Sequence, residues 1–387
     1  MNKIKFLMMA LVAACVTFSF VACGDDNEKI VEKIVTKTDT LKVDDNNWSR
    51  YQKLVTADVK SQKKNNKVIL LVAFGSTWEQ AFNAFDGTID AYKQAFPSYD
   101  VFLSYSSAIC INRAAAGENG VTRNYYAPNF WLNAFADKGI RYNEIVVQSL
   151  QVIPGEEYTR VINYLKDFGN NANGDLDDEY LSRVILKLGV PLLQDADKDV
   201  KKVAEELNTL YSAKAQQGVV AFMGHGNPDE YDTYKANIRY TQLEAALQIY
   251  SPNYFVGTVD MAENFKTDVY KRMQTAGFTS GKVFCHPLMS IDGDHGHNDM
   301  AGDDLPEDFD EETGTFAQLM ELANDEGEVE DCSWKKFFGL AGYTCNDETM
   351  IELGLLELPA IRQVWMSHTE AAINGEPLDY YHSKNPE

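Results

Sequence analysis

Six histidines occur in 387 residues, and three of them stand in glycine-flanked turns of the second half. His225 lies in Met223-Gly224-His225-Gly226, and His295 and His297 lie in Asp292-Gly293-Asp294-His295-Gly296-His297-Asn298-Asp299. Neutral imidazole is the commonest transition-metal ligand, and a glycine-flanked turn lets the ring face a cleft with its backbone close to a ligand. Between these turns Asp260 closes the run Val256-Gly257-Thr258-Val259 and adds a carboxylate. Two imidazoles and one carboxylate make an open divalent-metal site that leaves coordination positions for a substrate. Each residue also has a plainer reading. A histidine after a strand is commonly a turn residue bonded to backbone, Asp260 could cap the following helix, and His297 could be plain surface. His286 reads as a satisfied core histidine, His368 as part of a helix and His382 as part of the tail.

The elements that must position these side chains show in the apolar pattern. Apolar runs at residues 68–74, 101–105, 144–153, 218–223, 254–259 and 282–289 alternate with helical periodicity, the signature of a parallel α/β sheet. They fall into two similar triplets. Phe74-Gly75-Ser76 matches Gly224-His225-Gly226, and Ile153-Pro154-Gly155-Glu156 matches Ile291-Asp292-Gly293-Asp294. The predicted fold is α/β, with two similar doubly wound parallel-sheet domains facing each other and function in the crevice beyond the C-terminal ends of the strands. The expected division is an N-terminal segment 1–22, a tether 23–65, a first domain 66–215 and a second domain 216–387. A surface loop is expected at 168–180, and an acidic insertion at 304–331 reads as solvated or as a partner-binding or cation-collecting lobe.

Composition excludes several classes. Acidic side chains outnumber basic ones 58 to 35, a net charge of -23, which repels phosphate backbones and argues against nucleic acid as a partner. No GxxxxGK[ST] stretch is present and no GxGxxG follows the first strand, so no nucleotide is implied. Ser76 lacks the GxSxG setting of a nucleophile elbow, and HExxH is absent.

The N-terminus reads as an address. Lys3 and Lys5 precede an apolar run over 6–22 that ends in small residues, the pattern of a secretory signal. Cys23 then resembles the lipid-modified cysteine of a bacterial lipobox, and Gly24-Asp25-Asp26-Asn27 resembles a surface-export signal. The expected location is the bacterial cell envelope, lipid-anchored to a membrane through Cys23, at the periplasmic face or the outer surface. Of the remaining cysteines, Cys332 and Cys345 are the expected disulfide, with Cys110 and Cys285 as buried thiols.

Five runs together resemble the anaerobic sirohydrochlorin cobaltochelatase family, the ATP-independent class with a ferrochelatase-like fold. They are Leu71-Val72-Ala73-Phe74-Gly75-Ser76, Gln148-Ser149-Leu150-Gln151-Val152-Ile153-Pro154-Gly155-Glu156-Glu157-Tyr158, Phe222-Met223-Gly224-His225-Gly226, Phe255-Val256-Gly257-Thr258-Val259-Asp260, and Gly293-Asp294-His295-Gly296-His297-Asn298-Asp299-Met300-Ala301-Gly302-Asp303. The resemblance spans about residues 66 to 375 and implies two α/β domains enclosing a tetrapyrrole cleft. It also implies a metal site of His225, Asp260 and His295. Asp260 stands where the family usually has Glu, one methylene longer, and His297 where it usually has a different polar residue.

The activity so implied is insertion of a divalent ion, Co2+ or alternatively Fe2+, into a sirohydrochlorin-type tetrapyrrole, as in anaerobic cobalamin biosynthesis. His225 would serve as both base and metal holder. Backbone N–H groups at the glycine turns, with Arg113 or Arg123, would hold the substrate's carboxylates. The alternative is an envelope lipoprotein that captures haem or another metallotetrapyrrole, with the histidines as axial ligands. Metal-dependent hydrolysis is a third, more distant reading.

Overall fold

Runs of Val, Ile and Leu too continuous for a half-exposed sheet fold here as parallel strands covered on both faces. The structure, a computed structural model, describes residues 45–381; the predicted signal 1–22, Cys23, the first part of the tether and His382 lie outside that range. In the first half β1 (Lys67–Ala73), β2 (Asp100–Tyr105), β3 (Glu144–Ser149) and β4 (Ile185–Gly189) form a parallel sheet in the order β2-β1-β3-β4. In the second half β5 (Gly218–Gly224), β6 (Tyr254–Thr258) and β7 (Lys282–Pro287) form a parallel sheet in the order β6-β5-β7. All six predicted runs are strands, and β4 is an addition that the pattern did not reveal.

The two halves repeat down to single hydrogen bonds. In the first half Val72 O, Ala73 O and Phe74 O accept from the backbone N–H groups of Leu150, Ser106 and Ser107. In the second half Met223 O, Gly224 O and His225 O accept from Leu288, Val259 and Asp260. Phe74 therefore stands where His225 stands, Ser107 where Asp260 stands and, counting on from Leu150 and Leu288, Glu157 where His295 stands. The helical turns that follow agree, since Thr159 N–H bonds to Gly155 O as His297 N–H bonds to Gly293 O. This corrects the motif match by one residue: Gly75 (φ +133°) pairs with Gly226 (φ +81°), both in backbone conformations that favour glycine.

Ile69, Leu71 and Ala73 of β1 share one core with Val220 and Phe222 of β5, while Val219, Ala221 and Met223 face a second core around Trp334, Phe337 and Phe338. The helix Pro359–Asn374 falls within the span expected for the second domain, yet it crosses to the first sheet. Its Trp365 Nε1 donates to Gln151 O at 3.2 Å and its Thr369 hydroxyl to Gln148 Oε1 at 2.8 Å.

Several expectations change. Part of the expected tether is the helix Asp45–Gln62, with Val55 and Val59 fully buried and Gln52 Nε2 donating to Phe130 O at 3.0 Å. The acidic insertion is anchored rather than only solvated: Leu319 and Val329 are buried in the second core, and Lys336 reaches Glu311 at 2.9 Å. The Cys332–Cys345 disulfide is not formed, and all four cysteines here are free thiols. The bridge between Lys282 and Thr344 lays the chain beside β7, so Cys345 Sγ meets Cys285 Sγ at 3.9 Å instead. Cys285 is buried as expected, whereas Cys110 is only half-buried. Among the described residues no helix is long and apolar enough to cross a membrane.

Candidate metal centre

The three predicted ligands leave the C-terminal ends of the second sheet. His225 follows β5 directly, Asp260 lies two residues beyond β6, and His295 opens a π-helical turn, His295–Met300, beyond β7. Gly226 makes the first turn feasible, because a Cβ there would lie 2.9 Å from Met261 N and 3.0 Å from Thr258 Cβ. Tyr240, buried beneath, accepts the Gly226 N–H at 3.3 Å. Asp260 N–H donates to His225 O at 2.8 Å, which ties the two loops together.

The side chains gather. Asp260 Oδ2 is 3.6 Å from His225 Nδ1, and the His225 and His295 rings meet edge to face with centroids 4.7 Å apart. His225 Nδ1 also bonds Gly226 O at 2.7 Å, and His295 Nδ1 bonds Asp299 Oδ2 at 2.5 Å. Each contact assigns a proton to Nδ1 and the lone pair to Nε2, the nitrogen a metal ion would take, as a carboxylate–histidine pair does in metal sites. Asp260, however, faces the Nδ1 side of His225. Among the described residues no three His, Cys, Asp or Glu side chains already stand in a metal-holding array, so an ion shared by all three requires Asp260 to turn toward Nε2.

Burial pulls the His225 imidazole down, but the Asp260 carboxylate, then Glu157 and the Gly226 carbonyl, pull it up against the opposing His295, and the net shift is upward. Its side chain keeps 38% exposure while that of Asp260 keeps 9%, so the imidazole is the accessible member of the pair. Glu157 belongs to the other half, in the first turn of the helix Glu156–Gly169. Sequence reasoning passed over it, although its motif was in view, because acidic residues in a first helical turn are ordinary partners of the helix dipole.

First-half residues also grip the turn that carries His295. Trp78 Nε1 donates to Asp294 Oδ1, Arg113 Nη1 lies 3.9 Å from Asp294 Oδ2, and the Trp78 ring stacks on His297 with centroids 3.9 Å apart. Arg113 thus sits beside the centre, while Arg123 is drawn away to Asp86 at 2.8 Å. The Ser76 hydroxyl accepts the Trp78 N–H at 3.2 Å, a turn contact. His297 is not plain surface. Its Nε2 lies 3.9 Å from Asp292 Oδ2 and its Nδ1 lies 3.9 Å from Glu352 Oε1. Asp292 is completely buried, and burial, then Glu352 and Glu357, push its carboxyl up to about 7. Burial pulls the His297 imidazole down, against the upward pull of Glu352, Asp294 and Glu357. His286 is a core residue as predicted, fully buried with Nδ1 on Pro287 O at 2.8 Å, but it is not satisfied, since Nε2 has no hydrogen-bond partner, and His368 lies on the last long helix against Asp199 at 3.1 Å.

Comparison with known proteins follows the same lines. The family model for cobalt chelatase (CbiK) matches residues 67–313. Sirohydrochlorin cobaltochelatase CbiKC of Nitratidesulfovibrio vulgaris is 25% identical over 309 residues, covering 80% of this chain and 91% of that one. Sirohydrochlorin cobaltochelatase of Salmonella typhimurium is 27% identical over 314 residues, covering 80% and 97%. Among solved structures, SirB from Bacillus subtilis with Fe3+ aligns at a TM-score of 0.45 and 14% identity, covering 80% of this chain and 96% of that one.

Proposed function

Because the chain belongs to the cobalt chelatase (CbiK) family, we propose that it inserts a divalent ion, cobalt first and iron as the alternative, into a sirohydrochlorin-type tetrapyrrole without ATP. The observation that carries this reading is the gathering of His225, Asp260 and His295 at the ends of three adjoining strands, with Glu157 of the other half within electrostatic reach.

The metal ion is a substrate. A free-base macrocycle has two inner N–H groups, and an ion enters only as those protons leave, so the site must hold metal and accept protons on one face of the ring. His225 takes the protons, since the carboxylates around it strengthen the imidazole as an acceptor. His295 presents Nε2 to the ion while Asp299 holds its Nδ1–H. Asp260 completes the shell by turning from Nδ1 of His225, and its short side chain draws the ion toward β6. Arg113 and the backbone N–H groups of the glycine turns receive the substrate's carboxylates. The protein works in the cell envelope, anchored through a lipid on Cys23.

The test uses the chain from residue 24 onward, metal-free sirohydrochlorin and Co2+, followed by the absorbance change of the macrocycle. The wild type gives product. His225→Ala, which loses the proton acceptor, slows it by roughly a hundredfold or more, the usual scale of general acid–base catalysis. A wild-type protein that binds haem through its Soret band and turns over no metal-free substrate would instead be a carrier.

A further inference from the structure

Two ligand-type side chains beside this centre carry buried polar atoms without a hydrogen-bond partner. Asp292 is 0% exposed, and neither of its carboxylate oxygens has a hydrogen-bond partner. The Nε2 of His297 is likewise buried and unbonded, and it faces Asp292 Oδ2 across 3.9 Å. That gap is too wide for a hydrogen bond, which needs about 3.2 Å or less. Two metal–ligand bonds of about 2.1 Å would span it at a wide angle.

The surroundings hold both groups where they are. The Asp292 carboxylate is tucked under Gly296, where a Cβ would strike Oδ1, and the chain at Gly354 is pressed against the backbone of Ile291 and Asp292. Trp78 stacks on the His297 ring. The charges acting on Asp292 are Glu352 and Glu357, both carboxylates. Burial and these two carboxylates disfavour the charged form of Asp292, and a cation held between its oxygen and the facing imidazole would offset that cost.

The repeat supplies an internal control. Pro154 and Thr159 occupy the positions of Asp292 and His297 in the first half, where the same strand–Gly–helix turn forms with the same Gly155 O to Thr159 N bond. The turn therefore needs neither an aspartate nor a histidine for its shape, and this pair serves something else.

We propose that Asp292 Oδ2 and His297 Nε2 hold a divalent transition-metal ion in a second site, separate from the one formed by His225, Asp260 and His295. One imidazole and one carboxylate suit Zn2+, Co2+ or Ni2+ better than Mg2+ or Ca2+, which prefer all-oxygen shells. The donor atoms are closed to bulk solvent, so the ion is expected to exchange slowly. This site does not depend on the chelatase reading.

The test is metal counting on metal-stripped full-length protein, by equilibrium dialysis against Co2+ and elemental analysis. The wild type is expected to bind two ions per chain. Asp292→Asn and His297→Gln are each expected to bind one, His225→Ala one, and the Asp292→Asn, His225→Ala double variant none. In parallel, Zn2+ should raise the Tm of His225→Ala and leave that of the double variant unmoved. Equal ion counts for wild type, Asp292→Asn and His297→Gln would overturn the second site. Loss of an ion in Asp292→Asn but not in His225→Ala would leave this site standing and sink the first. His297→Gln keeps the count readable if Asp292→Asn fails to fold.

Discussion

His286 ties the stability of the second sheet to pH. It lies in β7, fully buried, with Nδ1 donating to Pro287 O at 2.8 Å and Nε2 without a partner. The Tyr211 and Phe222 rings pack around it with centroids 5.1 and 5.6 Å away. Burial pulls its pKa from 6.5 down to about 4, so the folded protein holds this side chain neutral where the unfolded chain would protonate it. The resulting stability is fully present above about 6.5, is lost progressively as pH falls toward about 4, and levels off below that. One pKa unit corresponds to about 1.4 kcal/mol, so a gap of roughly 2.5 units is worth about 3 kcal/mol at most, and about 2 kcal/mol of it is gone by about pH 5. His286→Phe keeps a ring in the same space and removes the titration, although it loses the bond to Pro287 O and so lowers stability at every pH. Urea unfolding of both proteins at pH 7.5 and 5.0 measures the effect as the difference between the two pH drops. Carboxylates that titrate in both proteins cancel in that difference. If wild type and His286→Phe lose the same stability between the two pH values, the imidazole is not held neutral by burial and the reasoning fails.

Two further outcomes follow from the site. Gly226→Ala forces a side chain into a left-handed backbone, at about 1–2 kcal/mol, and drives its Cβ into Met261 and Thr258. It should lower stability by roughly 2–4 kcal/mol in urea and weaken Co2+ binding in the same samples, because His225 and Asp260 share that turn. Trp78→Phe keeps a ring on His297 but removes the N–H donated to Asp294; with Asp294 partly exposed the loss is about 1 kcal/mol. Steady-state kinetics should show the KM for metal rising roughly fivefold with kcat moving less, whereas an unchanged KM would mean the His295 turn holds its place without help from the first half.

Much of the architecture was open to reading in the residues. The six long apolar runs are strands because their continuity demands cover on both faces, and the repeat was visible in the glycine turns. β4 escaped because Lys187 interrupts its short run. In the fold that lysine is buried and its ammonium reaches Gly375 O, at the C-terminal end of the helix Pro359–Asn374. The cysteine pairing went astray for a related reason: closeness in sequence favoured Cys332, whereas neighbouring chains in the sheet bring Cys285 to Cys345. The histidines after β5 and β7 and the aspartate after β6 were legible because strand ends of one parallel sheet must open on one edge. The direction in which Asp260 points, and the confrontation of Asp292 with His297, depend on side-chain packing that no spacing encodes. Asp260 was also weighed as a helix cap. The helix after β6 instead starts at Lys266, behind Phe265, whereas the counterpart Ser107 does cap its helix, its hydroxyl accepting the Cys110 N–H at 3.3 Å.

The correspondence of Phe74, Ser107 and Glu157 with His225, Asp260 and His295 makes the two halves unequal in a definite way. Three ligand-type side chains follow the strands of the second half, whereas the equivalent positions of the first half hold a phenyl ring, a hydroxyl spent on capping a helix and a lone carboxylate. A metal ion delivered to the strand ends would therefore find donors in one half only. The repetition of the backbone turns thus stops short of their side chains, and polarity enters through the residues alone.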